Sequence, residues 1–152
     1  MRNQFVSNWM SLDVITVAPD TSLTDADDLL REYNIRRLPV VDEDKNLIGI
    51  VTLGDIREAS PSDATSLSIW ELNYLLEKLQ VRRIMTPNPV TVYTNDTIAT
   101  AARLMLENKI SGLPVLDPTD DSLVGIITES DIFSLVAQTW EEPEADVLKL
   151  VR

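Results

Sequence analysis

Apolar positions along the chain keep two rhythms, and the same order of rhythms occurs twice. Val14-Ile15-Thr16-Val17 alternates as a short strand does. Behind a helix start at Asp20-Thr21-Ser22, the residues Ala26, Leu29, Leu30 and Tyr33 recur at helical spacing, which predicts a helix over Leu23 to Tyr33. Leu38-Pro39-Val40-Val41 and Leu47-Ile48-Gly49-Ile50-Val51 are short and β-prone. The polar run Asp42-Glu43-Asp44-Lys45-Asn46 between them predicts a hairpin, with Pro39 near a strand start where its missing N–H costs least. A helix from Asp55 closes this half as β-α-β-β-α.

The second half repeats the order: strand Val90-Thr91-Val92, helix Ile98 to Glu107, strands Leu113 to Leu116 and Leu123 to Ile127, and helix Asp131 to Thr139. Thr16-Val17 aligns with Thr91-Val92, and Ile35 to Val40 with Ile110 to Val115, at an offset of 75. Gly49/Gly125, Thr52/Thr128 and Asp55/Asp131 align at an offset of 76. The added residue lies between Asp117 and Leu123, where a surface turn tolerates it.

Between the halves, Ala59 to Ser66 reads as an exposed loop. Ser68-Ile69-Trp70-Glu71 then opens a helix as a capping box, and Leu72, Leu75, Leu76 and Leu79 are expected to bury a stripe in the core, with a subunit contact as the second reading, the helix ending near Gln80. The expected division is residues 6–58 for unit one, 59–80 for loop and connecting helix, 81–139 for unit two and 140–152 for an acidic tail. In that tail, Val147-Leu148-Lys149-Leu150-Val151 is expected to dock on its own domain, with a partner contact as the alternative.

Composition narrows the chemistry. A chain of 152 residues, 44% hydrophobic and 25% charged, is large enough to bury a core. A net charge of −12 makes nucleic acid and anionic membrane poor partners. With no Cys and no His, the chain lacks a thiol nucleophile, the common proton shuttle and the commonest metal ligand, so neither catalytic nor metal-binding residues are assigned. Neither a signal-peptide core nor a run of bilayer-spanning length is found, and a cytoplasmic location is the default.

Gly49-Ile50-Val51-Thr52-Leu53-Gly54-Asp55-Ile56 and Gly125-Ile126-Ile127-Thr128-Glu129-Ser130-Asp131-Ile132 are the stretches where chemistry concentrates. Thr-x-x-Asp before an apolar run is a capping-box-like helix start. The same geometry offers N–H groups to an anion, while the carboxylate can accept two hydrogen bonds from a vicinal diol, as in a phosphate joined to a ribose.

Leu-Pro-Val-hydrophobic-Asp followed by Gly-Ile-hydrophobic-Thr-x-x-Asp, in duplicate, resembles a tandem pair of cystathionine-beta-synthase (CBS) domains, a Bateman module. Ile84-Met85-Thr86 before Pro89-Val90-Thr91-Val92, and Trp9-Met10-Ser11 before Val14-Ile15-Thr16-Val17, carry the same resemblance. It implies an α/β (α+β) fold of two pseudo-twofold-related units. It further implies clefts, each drawing on both units, that bind AMP, ADP, ATP or S-adenosylmethionine, with no cofactor required. Carried over, one site places adenine against Thr91, Ile110 and Ser111, ribose on Asp55, and phosphate near Thr52, Arg36 and Arg37. Its mirror uses Thr16, Ile35 and Arg36 for the base and Asp131 and Thr128 for sugar and phosphate.

The two sites are not expected to be equal. Arg36 and Arg37 can make charge-assisted contacts to phosphate. Their counterparts are Ser111 and Gly112, and Glu129 adds a negative charge to the second motif. The Asp55 site is therefore the expected nucleotide site, the Asp131 site being empty or taking a less anionic adenosyl ligand. The chain is expected to be a homodimeric, non-enzymatic sensor acting on an effector protein in trans, or else a fragment. Its rivals are a structural dimerisation module with vestigial clefts and a metal-dependent nucleotide hydrolase using Asp55 or Asp131.

Several features read more simply. Arg82-Arg83 is expected at a solvated surface or paired with carboxylates, a reading open to Arg36-Arg37 beside the ligand role, and Asp27-Asp28, Asp120-Asp121 and Glu141-Glu142 as solvated charge pairs rather than acid/base dyads. Met10, Met85 and Met105 read as core fillers. Trp9, Trp70 and Trp140 read as anchors at element ends or at a subunit interface.

Overall fold

A computed structural model describes residues 3–60 and 66–141. The apolar tail segment Val147 to Val151, the side chain of Trp140 and the middle of the inter-repeat loop lie outside the described residues. Two compact units divide the chain, one spanning Asp13–Val90 and the other combining residues 3–12 with 91–141. Together they hold, among the described residues, two three-stranded sheets and five α-helices, the mixed α/β class the sequence predicts.

In the first unit, α1 (Leu23–Glu32) starts where Ser22 Oγ accepts the Asp25 amide at 3.1 Å, satisfying one of the N–H groups a helix start leaves unpaired. Its Leu23, Ala26 and Leu30 are buried. β1 (Arg37–Val41) and β2 (Leu47–Thr52) form the predicted antiparallel hairpin, Arg37 facing Thr52 and Leu38 facing Val51. The turn is built by Asp42, whose Oδ1 accepts the amides of Asp44 and Asn46 at 3.0 and 2.9 Å. α2 (Leu53–Ala59), α3 (Ile69–Lys78) and β3 (Thr86–Pro87) follow, with β3 pairing antiparallel to β2. Leu38, Val40 and Val51 are fully buried with Leu23, Ala26 and Val81, and each large apolar side chain so buried stabilises the fold by roughly 1.5–3 kcal/mol.

In the second unit, β4 (Val92–Tyr93) runs parallel to β5 (Gly112–Leu116), which pairs antiparallel with β6 (Leu123–Thr128). α4 (Ile98–Asn108) and α5 (Glu129–Glu141) pack against each other. The turn after β5 is one residue longer than its counterpart. Asp117 N reaches Ser122 O at 2.8 Å, whereas Asp42 N reaches Asn46 O at 3.0 Å.

The leading segments are exchanged between the repeats. Residues 3–12 complete the second unit: Val6 is fully buried, its amide donates to Asp96 O at 2.9 Å, and Ser11 bridges Ile126. The equivalent segment after α3 completes the first, with Val81 buried and Thr86 facing Ile50. Each segment brings a methionine onto a glycine. A Cβ on Gly49 would stand 2.5 Å from Met85 Sδ, and one on Gly125 would stand 2.7 Å from Met10 Sδ. Met10 and Met85 are half-buried and Met105 is buried, so the sulfurs fill gaps as expected.

Four expectations change. The strand expected over Val90-Thr91-Val92 lies instead at Val92–Tyr93. Val14 to Val17 is not a strand: only Val17 pairs, donating to Pro39 O at 3.0 Å and accepting from Val41 N at 2.9 Å. α2 and α5 begin at Leu53 and Glu129 rather than at Asp55 and Asp131, because the aspartate is the third residue of the helix it helps to cap. The stripe on α3 is only partly core. Leu76 and Leu79 pack on the buried cluster and Leu72 is half-buried, whereas Leu75 is exposed.

Candidate functional site

In the first unit, the register brings Arg37, at the start of β1, opposite Thr52, at the end of β2. The carbonyl of Arg36 accepts the Leu53 amide at 2.8 Å, tying the entry of α2 to the same hairpin end. Thr52 Oγ1 accepts the Asp55 amide at 3.1 Å and Asp55 Oδ2 accepts the Thr52 amide at 2.8 Å, a complete capping box. Asp55 Oδ1 accepts no hydrogen bond among the described residues. Arg36, Arg37, Thr52 and Asp55 therefore gather at one end of one sheet, with Arg36 exposed and the other three half-buried. Ile35 is half-buried against the core, and Thr16 is exposed one residue before the Val17 bridge.

The second unit builds the same end with different chemistry. Gly112 faces Thr128, and the carbonyl of Ser111 accepts the Glu129 amide at 3.0 Å. Asp131 Oδ2 accepts both the Thr128 amide at 2.9 Å and the Thr128 hydroxyl at 3.3 Å. Thr91, Ile110, Ser111, Thr128 and Asp131 are all half-buried in this unit. No arginine stands where Arg36 and Arg37 do in the first unit, and Glu129 is exposed at the helix start.

One residue escapes a pattern-based reading. Lys109 closes α4 in the left-handed conformation at φ 54° and is exposed immediately before Ile110 and Ser111. It holds the position of Asn34, also left-handed at φ 51°. Asn tolerates that conformation more readily than Lys does. The offset of 75 aligns the pair, but nothing local to Lys109 marks it. Gly54, which the sequence marks as a glycine that lets backbone approach a ligand, has room around it: a Cβ there would meet only Thr52 Oγ1, at 3.6 Å, so packing within the unit does not require glycine.

Among the described residues, no group of three or more carboxylates is placed to hold a metal ion, and no helix is long and apolar enough to cross a membrane.

Comparison with known proteins places this arrangement. A CBS domain-containing protein of Dictyostelium discoideum is 38% identical over 136 residues, covering 90% of this chain and 93% of that one. Among solved structures, the CBS domain pair of protein MJ0100, in complex with 5'-methylthioadenosine and S-adenosyl-L-methionine, is similar with a TM-score of 0.74. It shows 31% identity, covering 90% of this chain and 98% of that one. CBSX2 in complex with AMP is similar with a TM-score of 0.73 and 33% identity, covering 90% and 98%. Longer relatives include homoserine O-acetyltransferases and inosine-5'-monophosphate dehydrogenases, of which the chain spans only 22% to 25%. The CBS domain profile matches residues 6–62 and 81–138, most of both repeats, and the chain belongs to the CBS domain family.

Proposed function

We propose that the chain is a non-catalytic sensor of adenosyl ligands, with AMP, ADP or ATP as the preferred class and S-adenosylmethionine next. The observation that carries this reading is the local group at the β1–β2 hairpin end. A half-buried aspartate there keeps one carboxylate oxygen without a hydrogen bond among the described residues, at the same hairpin end as a glycine that packing does not require and two arginines. Similar proteins support it, since one is described with AMP and another with two adenosyl compounds. In this reading Asp55 accepts the ribose hydroxyls, while Thr52, Arg36 and Arg37 take phosphate and Thr91, Ile110 and Ser111 contact the base. The second set, Asp131 and Thr128 with Thr16, Ile35 and Arg36, takes a less anionic adenosyl ligand or none. Binding signals by favouring one of two states, and the output acts on another protein.

The expected location is the cytoplasm and the expected state a homodimer. Leu106 and Phe133, 80% and 66% exposed on the packed helices α4 and α5, are apolar surface that a second copy would cover. Sedimentation of wild type against Phe133→Ser tests this, with a monomeric wild type removing the dimer.

A thermal-shift panel of AMP, ADP, ATP and S-adenosylmethionine tests the ligand reading. Ligand at a hundred times its Kd stabilises the native state by about 2.7 kcal/mol. The second reading, a structural module, draws on the engagement of both aspartates in helix starts. Silence across the panel would favour it.

A further inference from the structure

The outward side of α3 carries large apolar groups where a solvent-facing helix normally carries polar ones. Trp70 is 80% exposed and Tyr74 57%, while Leu76 on the opposite side packs onto the core. Trp70 and Tyr74, four residues apart, form one stripe. Lys78 extends it and lies over the Tyr74 ring, 4.3 Å from its centroid, so the stripe already receives one cation. The surroundings are acidic. α3 exposes Glu71 and Glu77, and α1, which packs against it, exposes Asp25, Asp28 and Glu32. The two helices hold six acidic residues against two basic ones, and one of the basic ones, Arg31, is paired with Asp27 at 2.9 Å.

An aromatic stripe with an acidic rim selects its occupant by charge. A second copy would bring the same acidic rim against itself, in a chain whose net charge is −12. Anionic lipid and nucleic acid are repelled for the same reason. We propose that this face docks a cationic amphipathic helix of another protein, its apolar side on Trp70 and Tyr74 and its lysines or arginines on the acidic rim. The inference concerns a surface apart from the ligand-binding residues and does not depend on that reading.

The test uses the full chain and a synthetic peptide of about 18 residues, long enough for a stable helix, with leucines at helical spacing and lysines elsewhere. Titration is followed by amide chemical-shift changes, alongside a peptide carrying glutamates in place of the lysines. Shifts are expected to concentrate on α3 and α1, with the glutamate peptide inert. The paired change Trp70→Ser, Tyr74→Ser should weaken binding by about tenfold or more, as loss of aromatic anchors does, and leave the thermal midpoint unchanged. Equal affinity in the double variant, or shifts spread over the whole acidic surface, would overturn the proposal. Self-association abolished by the double variant would also overturn it, assigning the face to a second copy.

Discussion

Asp55 and Thr52 hold each other twice: the carboxylate accepts the threonine amide at 2.8 Å and the threonine hydroxyl accepts the aspartate amide at 3.1 Å. This reciprocal pair orders the helix start before any ligand arrives, so the oxygen that remains is offered in a fixed direction. In the proposed function, folding and binding share one side chain, and substitutions there must be read on two scales.

Asp55→Ala should lower nucleotide affinity by about tenfold to a hundredfold, the loss of roughly 1.5–3 kcal/mol. It should also lower stability by about 1 kcal/mol through the lost cap. Asp131→Ala should cost similar stability but much less affinity for the same nucleotide. Calorimetric titration and urea unfolding of both variants check this, and equal affinity losses would remove the proposed inequality.

Gly54→Ala separates the two scales. The new Cβ meets only Thr52 Oγ1 at ordinary contact distance, so the fold should gain about 0.4–1 kcal/mol from the stiffer unfolded chain. Affinity for AMP should nevertheless fall, because a methyl group would occupy the ligand's approach. A more stable variant with undiminished affinity would remove Gly54 from the site.

The methionine-on-glycine contacts predict a difference between the repeats. Gly49→Ala would press chiefly on the Met85 side chain, which can swing away. Gly125→Ala would also stand 2.9 Å from the backbone carbonyl of Ser11. Overpacking of this kind costs about 1–3 kcal/mol, and Gly125→Ala should lie at the upper end and Gly49→Ala below it. Thermal midpoints of the two variants decide the order.

Tyr93 should ionise above its ordinary value of 10.0, first because its hydroxyl donates to Asp121 Oδ1 at 2.9 Å and then because that carboxylate is charged. The folded value exceeds the unfolded one, so whatever the contact contributes is present at neutral pH and is lost as pH rises through the folded value. Phenolate absorbance should show one of the three tyrosines titrating late in the wild type and earlier in Asp121→Asn.

The hairpins, the helices and the offset between repeats are legible because their signals are local: alternation, helical spacing and a turn-building Asp. Val14 to Val17 alternates equally well yet pairs only at Val17, since a strand also needs a neighbour along its length, and periodicity does not supply one. The exposed face of α3 was hidden for a related reason. Leu72, Leu76 and Leu79 lie toward one side and Trp70 and Tyr74 toward another, and an apolar count over the helix merges them. The Thr-x-x-Asp motif was visible as a cap and as a candidate ligand holder. That one oxygen of Asp55 is used and the other is without a hydrogen bond among the described residues is a matter of rotamer and register, which spacing alone does not determine.

The exchange of leading segments sets an order on synthesis. Residues 3–12 leave the ribosome well before β6, and Ser11 bonds to Ile126 in both directions, at 2.8 and 3.0 Å, so the earlier segment waits for a partner more than a hundred residues on. The body spanning Asp13–Val90 can close while translation continues, and the strap of residues 3–12, with its half-buried Trp9 and Met10, must stay unsatisfied until the second hairpin emerges. Such long-range closure slows folding and leaves apolar chain exposed in the interval. A nascent chain stalled before residue 126 should therefore be the form most in need of a chaperone.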